Sequence, residues 1–434
     1  MTLTRRNFCK SSMTMAAGAG LVSMIPGQLS CSNPNSKVVV ALIGCKGMGF
    51  SNLNAFMNNP EVQVAALCDV DENVLNKRAA EVEKKMGKKP DLYKDFRQVI
   101  DRKDIDVVII GTPDHWHCLP MVYACQAGKD VYVEKPMGNT IGECYIMEKA
   151  AKKYNSVVQV GQWQRSGKHW QDAIDFVHSG QLGKIRTVKA WAYMSWLKPT
   201  YKEPCAAPAG VDYDFWLGPA AKRDFSPNRF HFNFRWWWDY AGGLMTDWGV
   251  HLIDFALYGM KASTPNSIMA TGGNYAIDPR AMQTPDTQTT IYQFDDFILQ
   301  WEHAVGVDLG PYKRGHGVAF IGENATLVVD RGGWEVILEK AGKKSEMKEI
   351  PRISGKGSHG EHVRDFLDCV KSRKQPKANV TIGKDVAVVA HMGNLAYRTQ
   401  TMLHWDDQAK RFDNEAANKL IYPTYRTPWE LSKL

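Results

Sequence analysis

The sequence lacks any arrangement of cysteine and histidine that would cross-link the chain or hold a structural metal. Its nine cysteines include no Cys-x-x-Cys pair and no regular spacing, which argues against a disulfide scaffold and against a zinc ribbon. Two histidine pairs, His115 with His117 and His359 with His362, have no third ligand at a defined spacing, so we predict no metal site. We expect cysteines such as Cys45 to be small, buried side chains.

Concentrated positive charge and long apolar runs are scarce as well. The formal net charge is +8, but no block of Lys and Arg is interleaved with aromatic residues, so we expect no nucleic-acid partner. A membrane-spanning helix needs about 20 apolar residues, and the run at 11–25 is shorter and rich in Gly and Ala. The sequence contains no internal repeat, which excludes a repeat array.

The first 36 residues have the composition of an export signal and linker. Arg5, Arg6 and Lys10 precede the apolar run, and no acidic residue lies among them. This pattern resembles a twin-arginine signal. Cys31 stands before a polar stretch and is a candidate lipid anchor, the alternative being that cleavage nearby removes it. We therefore expect export to the periplasm, either free or as a membrane-anchored lipoprotein.

Short apolar runs alternate with amphipathic stretches between residues 37 and 160. This order predicts an α/β fold with a doubly wound, parallel sheet of the Rossmann type. Strands are expected at 38–43, 62–68, 105–110, 131–133 and 157–160, and helices at 72–86, 117–127 and 140–154. The length of the chain calls for a second domain.

Strands dominate from residue 161 to residue 405. They follow one another through short turns, which predicts an α+β domain with a large, open, mainly antiparallel sheet. Strands are expected at 185–193, 267–274, 286–294, 297–304, 317–322, 325–330 and 335–339, and helices at 170–178, 244–258, 360–371 and 383–401. We expect residues 406–434 to form a tail that packs back on the body.

A glycine-rich loop follows the first strand and leads into a helix. The loop consists of Gly44, Cys45, Lys46, Gly47, Met48 and Gly49. Glycines allow the backbone to approach a pyrophosphate at a helix N-terminus. Lys46 stands at the second glycine of the usual G-x-G-x-x-G pattern, and Gly47 directly after it is in place to supply the close approach.

Asp69 ends the second strand, twenty residues beyond Gly49. A carboxylate at this position is expected to accept hydrogen bonds from the ribose hydroxyls of a dinucleotide. It repels a 2′-phosphate and so favours NAD over NADP. The alternative is that Asp69 and Asp71 only cap the next helix.

Three further motifs identify a family. They are Gly-Thr-Pro-Asp-His-Trp-His at 111–117, Glu-Lys-Pro at 134–136 and Gly-Leu-Met-Thr-Asp-Trp-Gly-Val-His at 243–251. With these motifs and the glycine loop, nearly the whole chain from residue 37 resembles the Gfo/Idh/MocA family of glucose-fructose oxidoreductase and inositol dehydrogenase. The resemblance implies an NAD(P)-binding Rossmann domain at 37–160, a substrate-binding domain at 161–405, a sugar-like substrate and a homo-oligomer, either dimer or tetramer.

The resemblance also assigns site residues. It places the family's catalytic lysine on Lys135 and its Asp-x-x-x-His pair on Asp247 and His251. The further cofactor contacts that it implies are Thr112, Pro113, His117, Glu134 and Gln162, and we expect Trp163, Arg165 and Arg235 to line the substrate cleft. Independently, Asp247 and His251 are four residues apart and share one helical face.

A neutral imidazole suits a general base, so His251 is expected to take the proton of a substrate hydroxyl. The alternative for the Asp247 and His251 pair is a helix-surface position without function. We expect hydride transfer between a tightly bound NAD, or less favourably NADP, and a hydroxyl of a sugar or glycoside, with C3 as one candidate position.

Export predicts that the cofactor stays bound, because a periplasm offers no dependable pool of free dinucleotide. Either a second substrate or the same substrate must then restore it. Two alternatives stay open: a redox-neutral, NAD-dependent glycosidase or lyase acting by oxidation and elimination, and a non-catalytic sugar-binding protein with structural NAD.

Overall fold

Short runs of buried aliphatic residues build the first sheet. In the computed structural model, which describes residues 37–339 and 348–431, six strands run parallel in the order β3-β2-β1-β4-β5-β6. They are β1 Val38–Ile43, β2 Val62–Cys68, β3 Asp91–Tyr93, β4 Val107–Ile110, β5 Asp130–Val133 and β6 Val158–Val160. The predicted doubly wound sheet is confirmed. Residues 1–36, with the expected export signal and Cys31, lie outside the described residues.

Helices connect these strands, and three of the five begin at side-chain caps. They are α1 Met48–Phe56, α2 Glu72–Met86, α3 Phe96–Ile100, α4 Cys118–Gln126 and α5 Ile141–Tyr154. The carboxylate of Asp71 accepts hydrogen bonds from the first-turn amides of α2, and Thr140 does the same for α5. Gly87 ends α2 in the left-handed conformation that glycine adopts without penalty.

A second sheet of ten strands makes up most of the remaining chain. Its order is β14-β13-β12-β11-β7-β10-β9-β8-β15-β16, and every pair is antiparallel except β7 with β10. The strands are β7 Thr187–Met194, β8 Ser267–Gly273, β9 Thr287–Gln293, β10 Ile298–Val305, β11 His316–Ile321, β12 Ala325–Asp330, β13 Gly333–Leu338, β14 Ile350–Ser354, β15 Leu403–Asp406 and β16 Arg411–Phe412. The predicted large, mainly antiparallel sheet is confirmed.

Seven further helices lie in the described part of the chain after β6, and some of them pack on this sheet while His359–Ser372 packs on the first helix of the parallel-sheet domain. They are α6 Lys168–His178, α7 Tyr213–Leu217, α8 Gly243–Asp247, α9 Gly249–Met260, α10 His359–Ser372, α11 Val380–Thr399 and α12 Glu415–Asn418. The single helix expected at 244–258 is interrupted at Trp248, so that Asp247 ends one helix and His251 lies in the first turn of the next. Among the described helices, none combines the length and apolarity that crossing a bilayer requires.

The segment after β16 folds back onto earlier elements. Ile421 accepts a hydrogen bond from the Gly142 amide at 2.7 Å, and Arg426 donates its amide to Pro219 at 2.8 Å. The Trp429 ring lies 4.8 Å from the Trp116 ring, edge to face. All seven cysteines in the described part of the chain are free thiols, and all are buried except Cys205.

Two glycine backbones make the closest approach in the first sheet. A Cβ added to Gly49 would lie 2.1 Å from the Gly44 carbonyl oxygen, and one added to Gly111 would lie 2.3 Å from the Gly49 Cα. Gly44 has a φ of +86°, which side chains rarely adopt. The loop after β1 is therefore held against the end of β4 by contacts that leave no room for a side chain.

Gly49→Ala should destabilise the fold, because the new methyl group collides with backbone atoms that have no alternative rotamer. We expect a loss of about 1–3 kcal/mol in the free energy of unfolding, measured by urea denaturation. Gly360→Ala is the matched control, since Gly360 is also the second residue of a helix and a Cβ there meets nothing within 4 Å. Equal stability of the two variants would contradict the close approach.

Candidate active site

A cavity of about 740 Å³ opens at the carboxyl ends of the parallel strands and is closed on its other side by elements of the second sheet. Open α/β sheets bind ligands at this edge. Most of the sequence-predicted residues line it. They are Gly44, Lys46, Gly47, Met48, Asp69, Thr112, Pro113, Glu134, Lys135, Trp163, Arg235, Asp247 and His251. Five predicted residues do not, namely Cys45, Gly49, His117, Gln162 and Arg165.

The glycine loop presents backbone rather than bulk to this cavity. Gly44 and Gly47 line it, whereas Cys45 turns its thiol inward to the Cys68 carbonyl at 3.4 Å. Gly49 lies behind the loop, in the close approach to Gly111. Together these features leave a cradle that a Cβ would fill, which fits a dinucleotide pyrophosphate at the start of α1.

Asp69 and Asp71 divide two roles. Asp71 caps α2, while Asp69 accepts hydrogen bonds from the amides of Cys45 at 2.7 Å and Asp71 at 2.9 Å. Burial raises the pKa of Asp69 to about 6, against the amides that favour its charged form. Asp69 is therefore not a helix cap. Its carboxylate is held in one position on the cavity wall, where it can accept a hydrogen bond from a ligand.

His117 and Gln162 lie behind the wall. The His117 ring nitrogens face the carbonyl oxygens of Pro136 at 2.7 Å and Thr112 at 2.9 Å. Burial lowers the pKa of His117 to about 4, so the ring is neutral and donates to one of these carbonyls. The side-chain amide of Gln162 is buried and has no hydrogen-bond partner among the residues that the structure describes. In this position His117 connects two loops rather than facing the cavity.

The Glu134 carboxylate lines the cavity and is held in place by neighbouring residues. Asn52 donates its side-chain amide to the Glu134 carboxylate at 2.8 Å, and a Cβ on Gly161 would lie 2.6 Å from the same group. The side-chain oxygen of Asn52 in turn lies 2.8 Å from Nε2 of His359, a residue that also lines the cavity. His362 points elsewhere, to the Ser166 hydroxyl, so the two histidines do not converge.

An ion pair joins the two halves of the site. The Lys135 ammonium donates to the Asp247 carboxylate at 2.5 Å and to the Asp247 main-chain carbonyl at 2.9 Å. Arg235 donates to the other carboxylate oxygen at 3.2 Å. Burial disfavours the charged carboxylate, but Lys135 and Arg235 outweigh burial and hold the pKa of Asp247 below its usual range.

His251 is a neutral imidazole in an aromatic setting. The Trp163 and Trp248 rings each lie 6.2 Å from it. Burial, with the nearby charges of Lys135 and Arg331, lowers the pKa of His251 well below its ordinary value. Its Nδ1 is enclosed without a partner among the described residues, so Nε2 is the nitrogen left open to the cavity.

Arg165 was expected to line the cleft but is buried away from it. Its guanidinium binds Asp254 at 2.7 Å, and both side chains are at least nine-tenths buried. Asp254 therefore neutralises Arg165 rather than orienting His251. The Asp247 carboxylate binds Lys135 and Arg235, and in the part of the chain that the structure describes it forms no hydrogen bond with the His251 imidazole.

Among the cavity-lining side chains that the sequence did not predict are two basic ones, Arg331 and His231. Arg331 follows β12 in a tight turn, and its guanidinium lies between the rings of Trp248 at 4.2 Å and Trp163 at 4.8 Å. His231 reaches the far end of the cavity and binds the Asp71 carboxylate at 2.9 Å. A single Arg beside a Gly-Gly turn, or a single His in an aromatic run, carries no spacing signal.

The fold and this cavity define a protein of the dinucleotide-binding class. Residues 38–162 match the model of an oxidoreductase family with an NAD-binding Rossmann fold, and residues 167–296 with 341–431 match that family's C-terminal α/β domain. The chain belongs to the Gfo/Idh/MocA family of oxidoreductases. Its first domain is therefore an NAD-binding Rossmann domain.

Curated relatives match part of the chain. A glycosyl hydrolase family 109 protein of Shewanella baltica is 27% identical over 224 residues, which cover 46% of this chain and 48% of the relative. An α-N-acetylgalactosaminidase of Shewanella oneidensis is 27% identical over 219 residues, with the same two coverages. The matched region thus spans about half the length of these relatives.

Solved structures share the fold over most of the chain. Levoglucosan dehydrogenase in complex with NADH and levoglucosan has a TM-score of 0.64 and 18% identity, and the match covers 85% of this chain and 99% of that one. An aldose-aldose oxidoreductase of Caulobacter crescentus complexed with glycerol has a TM-score of 0.64 and 21% identity, with the same coverages.

Asp247→Asn should destabilise the protein, because it leaves two largely buried cations without their counter-charge. We expect a loss of about 3–5 kcal/mol near neutral pH, measured by chemical denaturation. Since the folded-state pKa is depressed, the stabilisation is present above the ordinary value of 3.8 and is lost as the pH falls below it. The difference between wild type and variant should therefore shrink in acid.

The matched control is Asp172→Asn, which breaks an exposed pair with Lys168 on one helix. We expect that variant to lose no more than about 0.5 kcal/mol. If Asp247→Asn proved as mild as the control, the ion pair would not be holding the site together.

Proposed function

We propose that the protein transfers hydride between a retained NAD and a hydroxyl of a sugar or glycoside. The observation that carries the proposal is the convergence of the glycine cradle, the Lys135 and Asp247 pair and the open Nε2 of His251 on one cavity. The family match supports oxidoreduction. The similarity of the fold to levoglucosan dehydrogenase and to an aldose-aldose oxidoreductase supports a carbohydrate substrate.

The chain's own residues are arranged to hold the cofactor. Gly44 and Gly47 would face the pyrophosphate, and Asp69 would accept from a ribose hydroxyl while repelling a 2′-phosphate. Glu134, fixed by Asn52, would lie beneath the reactive end of the cofactor. When bound, the cofactor supplies the hydride acceptor.

Lys135 and His251 would act on the substrate hydroxyl. The Lys135 ammonium, oriented by Asp247, would donate a hydrogen bond to the hydroxyl oxygen. Nε2 of His251 would accept the hydroxyl proton, which the neutral state of the imidazole permits. Trp163 would pack an indole face against the C–H face of the sugar.

A strap of residues 209–212 crosses the end of β2, directly beyond Asp69. The Glu72 amide donates to Gly210 at 3.0 Å, and the Asp212 amide donates to Val70 at 3.0 Å. His231 adds its contact with the Asp71 carboxylate. These bonds hold the strap beside Asp69, the residue that would bind the ribose of NAD, and they support the proposal that the cofactor is retained.

A redox-neutral glycosidase is the second candidate function. The family 109 relatives favour it, because the same oxidation, followed by elimination, cleaves a glycosidic bond and returns the hydride. Net reduction of the retained cofactor by a free sugar distinguishes the first function. Release of an aglycone without net reduction distinguishes the second.

We also propose that residues 1–36 direct export by the twin-arginine route and that the mature protein is a homo-oligomer. Retention of the cofactor is the property that an exported oxidoreductase needs, since it must complete its cycle without a free dinucleotide supply. The composition of residues 1–36 supports export.

His251→Ala should lower turnover by about 10²–10⁴-fold, because the proton acceptor is lost. NAD content should stay unchanged, since His251 is not among the residues that would hold the dinucleotide. The measurement is the reduction of retained NAD by a panel of sugars, followed by absorbance. His316→Ala is the matched control, because His316 also lies against Trp248, at 5.0 Å, but outside the cavity. Equal activity of both variants would rule out the assigned base.

His231→Ala should release the cofactor more readily, because it removes the side chain that contacts Asp71, the residue that pairs with Val211 of the strap. We expect wild type, purified without added nucleotide, to release NAD on denaturation, and the variant to retain less after gel filtration. A hydrogen bond to a charged group contributes about 1.5–3 kcal/mol, which corresponds to at least tenfold faster loss if it acts on dissociation.

His178→Ala serves as the control, because His178 contacts Tyr258 and does not line the cavity. Absence of nucleotide from the wild-type protein would count against retention itself. Equal retention in wild type and His231→Ala would remove the strap from the explanation.

A further inference from the structure

Arg331 is a largely buried cation that no carboxylate in the described part of the chain neutralises. Its Nε donates to the Gln164 side chain at 3.1 Å. Within residues 37–339 and 348–431, neither of its terminal nitrogens has a hydrogen-bond acceptor, and no Asp or Glu forms an ion pair with it. Burial lowers the pKa of Arg331 to about 10, with Asp247 acting in the opposite direction. The guanidinium is nevertheless charged at neutral pH.

The two indoles contact the Arg331 guanidinium without using its hydrogen-bond donors. Its central carbon lies 4.2 Å from the centroid of the Trp248 ring and 4.8 Å from that of the Trp163 ring. Cation–π contacts of this kind leave the N–H bonds available to hydrogen-bond acceptors. The Arg331 Nε already donates to Gln164, so the donors that remain are the N–H groups of its two terminal nitrogens. Arg331 lines the cavity, and these groups are therefore available to a ligand there. The edge that they form matches two oxygens of one anionic group.

The surrounding charges also favour an anion. Lys135, Arg235 and Arg331 all line this part of the cavity. The Asp247 carboxylate is already divided between Lys135 and Arg235. Two further carboxylates, Asp114 and Glu134, line this part of the cavity, and burial raises the pKa of each, which weakens their negative charge. The pocket therefore carries an excess of positive charge beside the proposed base.

We propose that the substrate is an acidic sugar whose anionic substituent binds the free edge of Arg331. A carboxylate, as in a uronic acid, fits the planar fork with two parallel hydrogen bonds, and a sulfate ester offers the same oxygen pair. The inference rests on the proposed function, because it names the substrate class of that same site. It assigns Arg331 to substrate selection rather than to the cofactor.

The test uses the holoenzyme and three matched sets of probes: hexuronates, the corresponding neutral hexoses, and hexose 6-sulfates. We expect kcat/KM for either the hexuronates or the hexose 6-sulfates to exceed kcat/KM for the neutral hexoses by at least about tenfold. A pair of charged hydrogen bonds provides a difference of this size. Preference for the uronates identifies the carboxylate, and preference for the sulfates identifies the ester. Equal or better use of the neutral hexoses would overturn the proposal.

Arg331→Gln should abolish the preference for the acidic probes, so that kcat/KM falls further for these probes than for the neutral hexoses. Arg331→Lys, which keeps the charge without the planar fork, should restore part of the preference. The matched control is Arg352→Gln, because Arg352 lies at the same turn but binds Asp330 outside the cavity. If Arg331→Gln instead released NAD, or lowered the use of acidic and neutral sugars equally, the residue would not select the substrate.

A binding measurement separates this inference from the proposed function. Trp163 and Trp248 flank Arg331, so occupation of its edge should change tryptophan fluorescence. Saturable quenching by an acidic probe and not by its neutral partner supports the inference even if no sugar reduces the cofactor, in which case only the proposed function fails. If neutral sugars alone reduced the cofactor, the inference about Arg331 would fail and the proposed function would stand.

Discussion

The contact between Lys135 and Asp247 is the constraint on which the site depends. Lys135 follows β5 of the parallel sheet, and Asp247 ends α8 above the other sheet, so their 2.5 Å contact fixes one half of the cavity relative to the other. The ammonium also binds the Asp247 main-chain carbonyl, which ties it to the break between α8 and α9. The same break turns His251 toward the cavity. One ion pair thus sets both the width of the site and the position of its imidazole.

The charge distribution explains why these residue types can work together. A carboxylate next to His251 would raise its pKa and protonate it, but Asp247 is engaged by Lys135 and Arg235 and does not contact the ring. Burial and the neighbouring cations hold the imidazole neutral. In the proposed reaction the cations would have two effects: they would attract negative charge on the substrate, and they would keep a proton acceptor available. The charge of Asp247 raises the pKa of His251, but burial and the cations outweigh it.

Features encoded in local periodicity were predictable from the sequence, and features that depend on long-range packing were not. The parallel strands and the helices between them follow from aliphatic runs and caps. β3, with three residues, is too short to show a pattern, and the interruption at Trp248 leaves helical spacing intact. Arg165 and Arg331 are both arginines near aromatic residues. Only the fold reveals that Asp254 neutralises the first, whereas no acidic side chain among the described residues pairs with the second.

Oxidation and redox-neutral cleavage need the same first step, so the catalytic residues alone do not choose between them. Both require a cation at the reacting oxygen and a neutral base beside it, which Lys135 and His251 would supply in the proposed reaction. The two reactions differ in their later steps, namely in whether the hydride returns to the same molecule before that molecule leaves. A cavity that grips a charged substituent through Arg331 would hold the oxidised sugar in place longer than one that binds hydroxyls only. Substrate charge and the fate of the hydride are therefore coupled through the same cationic wall.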